Sequence, residues 1–221
     1  LTLKILGGIV GWPSNQYADK TAGVSDLEDK ADKILMAVRS VLAEKGYQGA
    51  TISEIAQEAG ISRGLLHYYF KSKEDMLCQV IRHSMAGILA RTSAILESAQ
   101  SPAAAAEGLC SALRGILVSD PHFFKLFLEA WVFARKGPDA QSLLKDIHSR
   151  FRQAVRRGLE GLAQKTGQPP ASTRLDTLAT LLTSLVDGIG MQATIEPSLL
   201  ENDDLWNALD RAIFALLEHA R

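Results

Sequence analysis

The sequence predicts an all-α protein of about nine helices, and three observations carry that expectation. Apolar residues recur at i, i+3, i+4 in one segment after another, and no segment alternates apolar and polar residues over a strand's length. Twice a capping residue is followed by proline at the first helical position, at Ser101-Pro102 and Asp120-Pro121. The periodic segments stop where glycine or proline stands, as at Gly46, Gly137-Pro138 and the stretch 167–170.

Residues 1–26 open on a short apolar run, LTLKILGGIV, followed by Trp12-Pro13 and a polar stretch. Lys4 sits inside the run and no small-residue cleavage site follows, so it makes a poor signal peptide. A flexible or loosely docked N-terminal extension is expected. Residues 27–45 form a strong amphipathic helix through Ala31, Ile34, Leu35, Val38, Val41 and Leu42, ended by Gly46. Thr51 and Glu54 then make a capping box, and Ile52, Ile55, Ala56 and Ala59 give the next helix one apolar face. Gly60 supplies the left-handed backbone of a sharp reversal, and Ser62 caps a short helix to Tyr69. About three residues of turn between two short helices is the spacing of a helix-turn-helix.

On that second helix Leu66 and Tyr69 fall toward Ile61, while Arg63 and His67 share the opposite face. Arg63 has the fork to read guanine, and His67 can donate to a base or a phosphate. Gly64 between them leaves room for close backbone approach. Tyr68, Lys71 and Lys73 follow at the helix exit, where hydroxyls and ammoniums meet phosphates. From Gly60 to Lys73 there are three cations and no acid. Ser72 and Asp75 cap the next helix, 73–98, about 39 Å long at 1.5 Å per residue. Further helices are expected at 102–118, 121–135, 139–165, 172–194 and 203–220.

The run EKGYQGAT followed by ISEIAQEAGISRGLLHYYFKSKEDML resembles the DNA-binding domain of the TetR family of bacterial transcriptional regulators, over about residues 32–84. The resemblance implies a symmetric dimer on a palindromic operator, a helical C-terminal half that binds a small molecule, and a cytoplasmic protein. It places Thr51, Ser62, Tyr68 and Lys73 at phosphate-contacting positions and Arg63, Gly64 and His67 at base-reading ones. Tyr69 has its ring toward the core and only its hydroxyl toward the backbone. The domains expected are the extension 1–26, a helix-turn-helix domain 27–84 and a ligand-binding and dimerisation domain 85–221, with the boundary inside a helix. The run LVDGIGMQATIEP also resembles the choline-responsive, betaine-regulator-like branch of the family, a resemblance that carries no ligand across.

In the C-terminal half, Phe127 and Trp131 are the expected pocket residues, with Phe151 and Met191 facing them. Leu178, Leu181, Leu182, Leu185, Val186 and Ile189, with Leu205, Leu209, Ile213, Leu216 and Leu217, offer more apolar surface than one narrow stripe, so the last two helices are expected to form a homodimer interface.

Composition bounds the alternatives. A formal charge of −1 argues against a general nucleic-acid coat and leaves a locally basic face possible. Cys78 and Cys110 make no disulfide framework. No apolar run is expected to reach the ~18 residues of a membrane span. Gly60–Gly64 fits G-x-S-x-G, which would make Ser62 a hydrolase nucleophile, but that elbow must follow a strand. Gly188–Ala193 fits a dinucleotide fingerprint without its βαβ context. No enzyme, metal or cofactor is expected. The remaining alternative is a small-molecule-binding protein without operator recognition.

Overall fold

The structure is a computed structural model that describes residues 24–135, 137–165, 167 and 172–218. Among these residues there are nine α-helices and no strand. They are α1 (Val24–Gly49), α2 (Ile52–Glu58), α3 (Arg63–Tyr69), α4 (Lys73–Ser98), α5 (Pro102–Ser119), α6 (Pro121–Ala134), α7 (Pro138–Lys165), α8 (Ser172–Ile195) and α9 (Asp203–Glu218). A short 3-10 turn, Pro197–Glu201, which the periodicity did not predict, joins the last two. Most of the extension lies outside the described residues.

The local signals act where the sequence puts them. Gly46 has φ 70° and breaks α1 before its nominal end. Ser101 accepts from the amide of Ala104, and Pro102 stands at the first turn of α5. Ser72 accepts from Asp75 N at 3.1 Å while Asp75 reaches back to Lys71 N at 2.9 Å, so the start of α4 is capped from both sides.

The chain divides into two compact units. The first comprises Leu1–Ala86 and Leu126–Leu143. Ile34, Leu35, Val38 and Leu42 of α1, Ile55 of α2, Leu66 of α3, Phe70, and Met76, Leu77 and Ile81 of α4 are all at most 1% exposed. Each such side chain stabilises the fold by roughly 1.5–3 kcal/mol. Leu126, Phe127 and Ala130 of α6 and Ala140 and Leu143 of α7 are buried in the same unit.

The second unit comprises Gly87–Lys125 and Leu144–Arg221. Its core is built from Leu96, Ala105, Ala106 and Leu117 with Ile147, Ala154 and Leu159, and from Leu175, Leu178 and Ala179 with Trp206 and Leu217. Two glycines are required by close packing. A Cβ on Gly158 would lie 2.4 Å from Leu96 Cβ, and one on Gly190 would lie 2.0 Å from the Phe124 ring.

The expectation about membrane spans needs one correction. Arg174–Ile195 of α8 is long enough, and with a mean hydropathy of 1.3 apolar enough, to cross a bilayer. One face of the helix, Leu175, Leu178 and Leu182, is buried in the protein's own core, while Leu181 is 46% exposed.

Candidate nucleic-acid interface and apolar cavity

The α2–α3 reversal is made by Gly60, whose φ of 65° is a conformation that only glycine adopts cheaply. A Cβ there would touch nothing within 4 Å, so the backbone angle, and not space, demands glycine. Ile61 N returns to Ala56 O at 3.0 Å and closes the turn. Leu66 is fully buried and fixes the roll of α3. That roll leaves Arg63, Gly64, His67 and Tyr68 exposed, with Tyr69 half-buried. Neither the Arg63 nor the His67 side chain has a hydrogen-bond or ion-pair partner among the described residues. Burial raises the Tyr69 phenol above its ordinary value, so it stays a neutral donor.

Hydrogen bonding separates two caps that look alike in sequence. Thr51 Oγ1 accepts from Glu54 N at 3.2 Å and donates to Glu54 Oε2 at 2.8 Å, so its single proton is committed. Ser62 Oγ accepts from Leu65 N at 3.1 Å and keeps its proton to give to an acceptor such as a phosphate oxygen. Glu54 also accepts from Lys45 Nζ at 2.6 Å. The Lys45 hydrogen bond, then those from the Thr51 side chain and backbone, lower the Glu54 carboxyl to about 2.

Lys73 is more tethered than a surface phosphate contact. Its ammonium donates to Ala50 O at 2.9 Å and lies 4.5 Å from the centre of the Tyr47 ring. Tyr47 packs in turn on Phe133 of α6, with ring centroids 4.0 Å apart, and its amide donates to Glu129 Oε1 at 3.4 Å. Residues of α6 therefore hold the Gly46–Tyr47 corner beside the helix-turn-helix. Sequence reasoning missed the meeting of Tyr47 with Glu129 and Phe133, because nothing in their local pattern says that positions over 80 residues apart meet.

The second unit holds an apolar cavity of about 50 Å³. Ile88 and Thr92 of α4, Leu109, Ala112, Leu113 and Ile116 of α5 and Phe151 and Val155 of α7 form part of its wall. Residues of α8 and α9, among them Leu182, Val186 and Ile213, complete it. Of the four expected pocket residues, Phe151 lines this cavity. Phe127 is 2% exposed in the core of the first unit, Trp131 is 41% exposed, and Met191 is half-buried outside the lining. The aliphatic lining was missed because its helical spacing is that of ordinary core.

Close by on α7 and α8, His148 directs Nδ1 at Leu144 O (2.7 Å) and Nε2 at Asp187 Oδ2 (2.9 Å). Acceptors at both nitrogens suit the imidazolium, and the Asp187 bond first of all raises the His148 pKa above 6.5. Cys78 and Cys110 are both buried, and neither forms a disulfide among the described residues. Ser62 stands after helix α2 and not after a strand, so the context of a nucleophile elbow is missing around it.

Comparison with known proteins agrees with this architecture. Residues 34–80 match the family of bacterial regulatory proteins of the tetR type, and residues 102–218 match the C-terminal domain of BetI-type transcriptional repressors. The transcriptional regulator BetI of Vibrio parahaemolyticus is 25% identical over 179 residues, 80% of this chain and 86% of that protein. The repressor KstR2 of Mycolicibacterium smegmatis is 35% identical over 80 residues, a match spanning 36% of this chain and only 39% of the relative. Two solved structures share the fold. FadR of Bacillus subtilis in complex with stearoyl-CoA superposes with a TM-score of 0.68 at 20% identity, covering 85% of this chain and 97% of that one. A regulator from Saccharomonospora viridis in complex with choline gives 0.65 at 24% identity, covering 87% and 97%. With a matched helix-turn-helix and a matched C-terminal domain that alone spans more than half its length, this chain belongs to the TetR family of bacterial transcriptional regulators and carries a BetI-type C-terminal domain.

Proposed function

We propose that the protein is a cytoplasmic, dimeric repressor that reads a palindromic operator with α3 and leaves it when a small molecule occupies the apolar cavity of the second unit. The observation that carries the DNA half is the exposed Arg63–His67 face, unpaired among the described residues, on a helix anchored from behind by Leu66. Arg63 and His67 contact base edges, Gly64 admits close approach, and Ser62, Tyr68, Lys71 and Lys73 meet phosphates. Thr51 serves chiefly as the cap of α2, since its proton is already given to Glu54.

Two half-sites about 34–36 Å apart require two copies of α3. Support for the dimer comes from an open groove of about 560 Å³ on α8 and α9, lined by Leu181, Ser184, Leu185, Ala212, Ala215 and Leu216. A Cβ added at Gly188 on the same helix would meet nothing within 4 Å, which leaves room for a neighbouring backbone. A helix apolar on two faces, one for its own core and one for a partner, also explains the bilayer-like hydropathy of α8.

The test is selection of bound duplexes from a random DNA pool, followed by affinity against salt. A recovered palindrome whose binding weakens steeply with salt supports the proposal. A folded dimer that enriches no sequence removes operator recognition.

A further inference from the structure

The cavity of the second unit has a chemical character that narrows what it can hold. Among its lining residues stand no acid, base or amide, and Phe151 is the single aromatic ring. A quaternary ammonium there would lose its hydration and find one ring and no carboxylate in return, where recognition of such cations uses a cage of rings. The lining therefore does not suit choline, the ligand bound in the Saccharomonospora viridis regulator.

One polar atom breaks the apolar wall. Thr92 is 7% exposed, and its hydroxyl makes no hydrogen bond among the described residues. Three hydroxyls of α8 behave differently. Thr180, Thr183 and Ser184 each donate to the carbonyl one turn back, at 2.7–2.9 Å. A hydroxyl whose proton is uncommitted can donate it to a ligand oxygen that enters the cavity. At about 50 Å³ the cavity is about a third of the ~150 Å³ that admits benzene, so a ligand must part the helices to enter.

Resting on the regulator reading above, we propose that the cavity bounded by α4, α5, α7, α8 and α9 is the effector site for a neutral aliphatic molecule with one carbonyl or hydroxyl oxygen, which Thr92 binds while the hydrocarbon chain lies along Ile88, Leu113 and Val155. Entry wedges α4, which carries both Ile88 and Thr92, away from its neighbours.

The experiment titrates the purified full chain with 2-decanone and, separately, with choline chloride, following binding by calorimetry, melting temperature, and release of the selected operator by fluorescence anisotropy. The ketone should bind, raise the melting temperature and release DNA; choline should do none of these. Thr92→Val should weaken ketone binding about threefold to tenfold, the effect of one hydrogen bond. Ala112→Leu, which fills the cavity, should abolish ketone binding. Binding of choline in place of the ketone, or a Thr92→Val protein with unaltered ketone affinity, overturns the proposal. Ketone binding is read without DNA, so the two readings fail separately. A selected operator with no ketone binding sinks the effector class alone. Ketone binding at Thr92 with no selectable operator sinks the regulator reading alone.

Discussion

Arg63 and Thr92 mark the two ways in which this chain places a functional atom. The Arg63 guanidinium stands in solvent on a seven-residue helix whose opposite face is closed by Leu66. Thr92 instead lies in a wall of aliphatic side chains that also build the unit's core. On α3, binding and stability therefore reside on different faces, and one can be changed without the other. In the cavity the same side chains do both, so a change in the site is also a change in the core.

The largest effect that tests this contrast is Leu113→Ala. The residue is 4% exposed and lines the cavity, so its truncation should lower stability to urea by about 2–5 kcal/mol as well as alter ligand affinity. A loss below about 1 kcal/mol would show that the wall is slack and the contrast false. Arg63→Ala should instead cost about 1–3 kcal/mol of operator affinity and relax preference at one base position, with unfolding unchanged within about 0.5 kcal/mol. If sequence preference survives, another side chain reads the bases.

Ser62→Asp sharpens the same division within one residue. A carboxylate still accepts from Leu65 N, so the cap and the unfolding midpoint should persist, but it has no proton to offer a phosphate. Operator affinity should fall at least about tenfold. Retained affinity would make Ser62 a cap alone. Lys71→Ala and Lys73→Ala form a finer pair. Both should weaken binding to all sequences and reduce the salt slope by about one, whereas Lys73→Ala should also lower the melting temperature through loss of its Ala50 and Tyr47 contacts.

The smallest expected effect is a pH dependence in the second unit. Asp187 above all, with the Leu144 carbonyl, raises the pKa of His148; burial and the charge of Arg152 oppose them. A raised folded-state pKa means that the pair's contribution is complete below about pH 6.5 and lost as pH climbs through the folded value. The melting-temperature gap between the protein and Asp187→Asn should thus be widest in acid and close toward alkaline pH. A gap that stays constant with pH would mean that His148 holds Asp187 without charging.

The helix-turn-helix was legible because its signals are local. A capping box, a glycine that must turn, and a serine cap lie within a dozen residues, and each acts on its own neighbours in the chain. Once those set the turn, helical periodicity alone points Leu66 inward and Arg63 outward. The start of α4 follows in the same way from Ser72 and Asp75, and α5 from Ser101 and Pro102.

The effector cavity was not legible in that way. Phe127, Trp131, Phe151 and Met191 were singled out as large or aromatic residues at helical spacing, and Phe151 alone lines the cavity. Spacing says that a residue faces inward without saying whether its neighbours leave a gap. That depends on side chains from five helices, and on Thr92 lacking the backbone bond that Thr183 makes. The tether of Lys73 through Tyr47 to Phe133 and Glu129 is likewise an encounter between distant segments. The sequence by itself determined the helices, the turn and the DNA-facing side of α3, since those follow from forces acting over three or four residues. Tertiary structure decided which apolar residues enclose space and which fill it, since packing is settled among side chains the chain order keeps far apart.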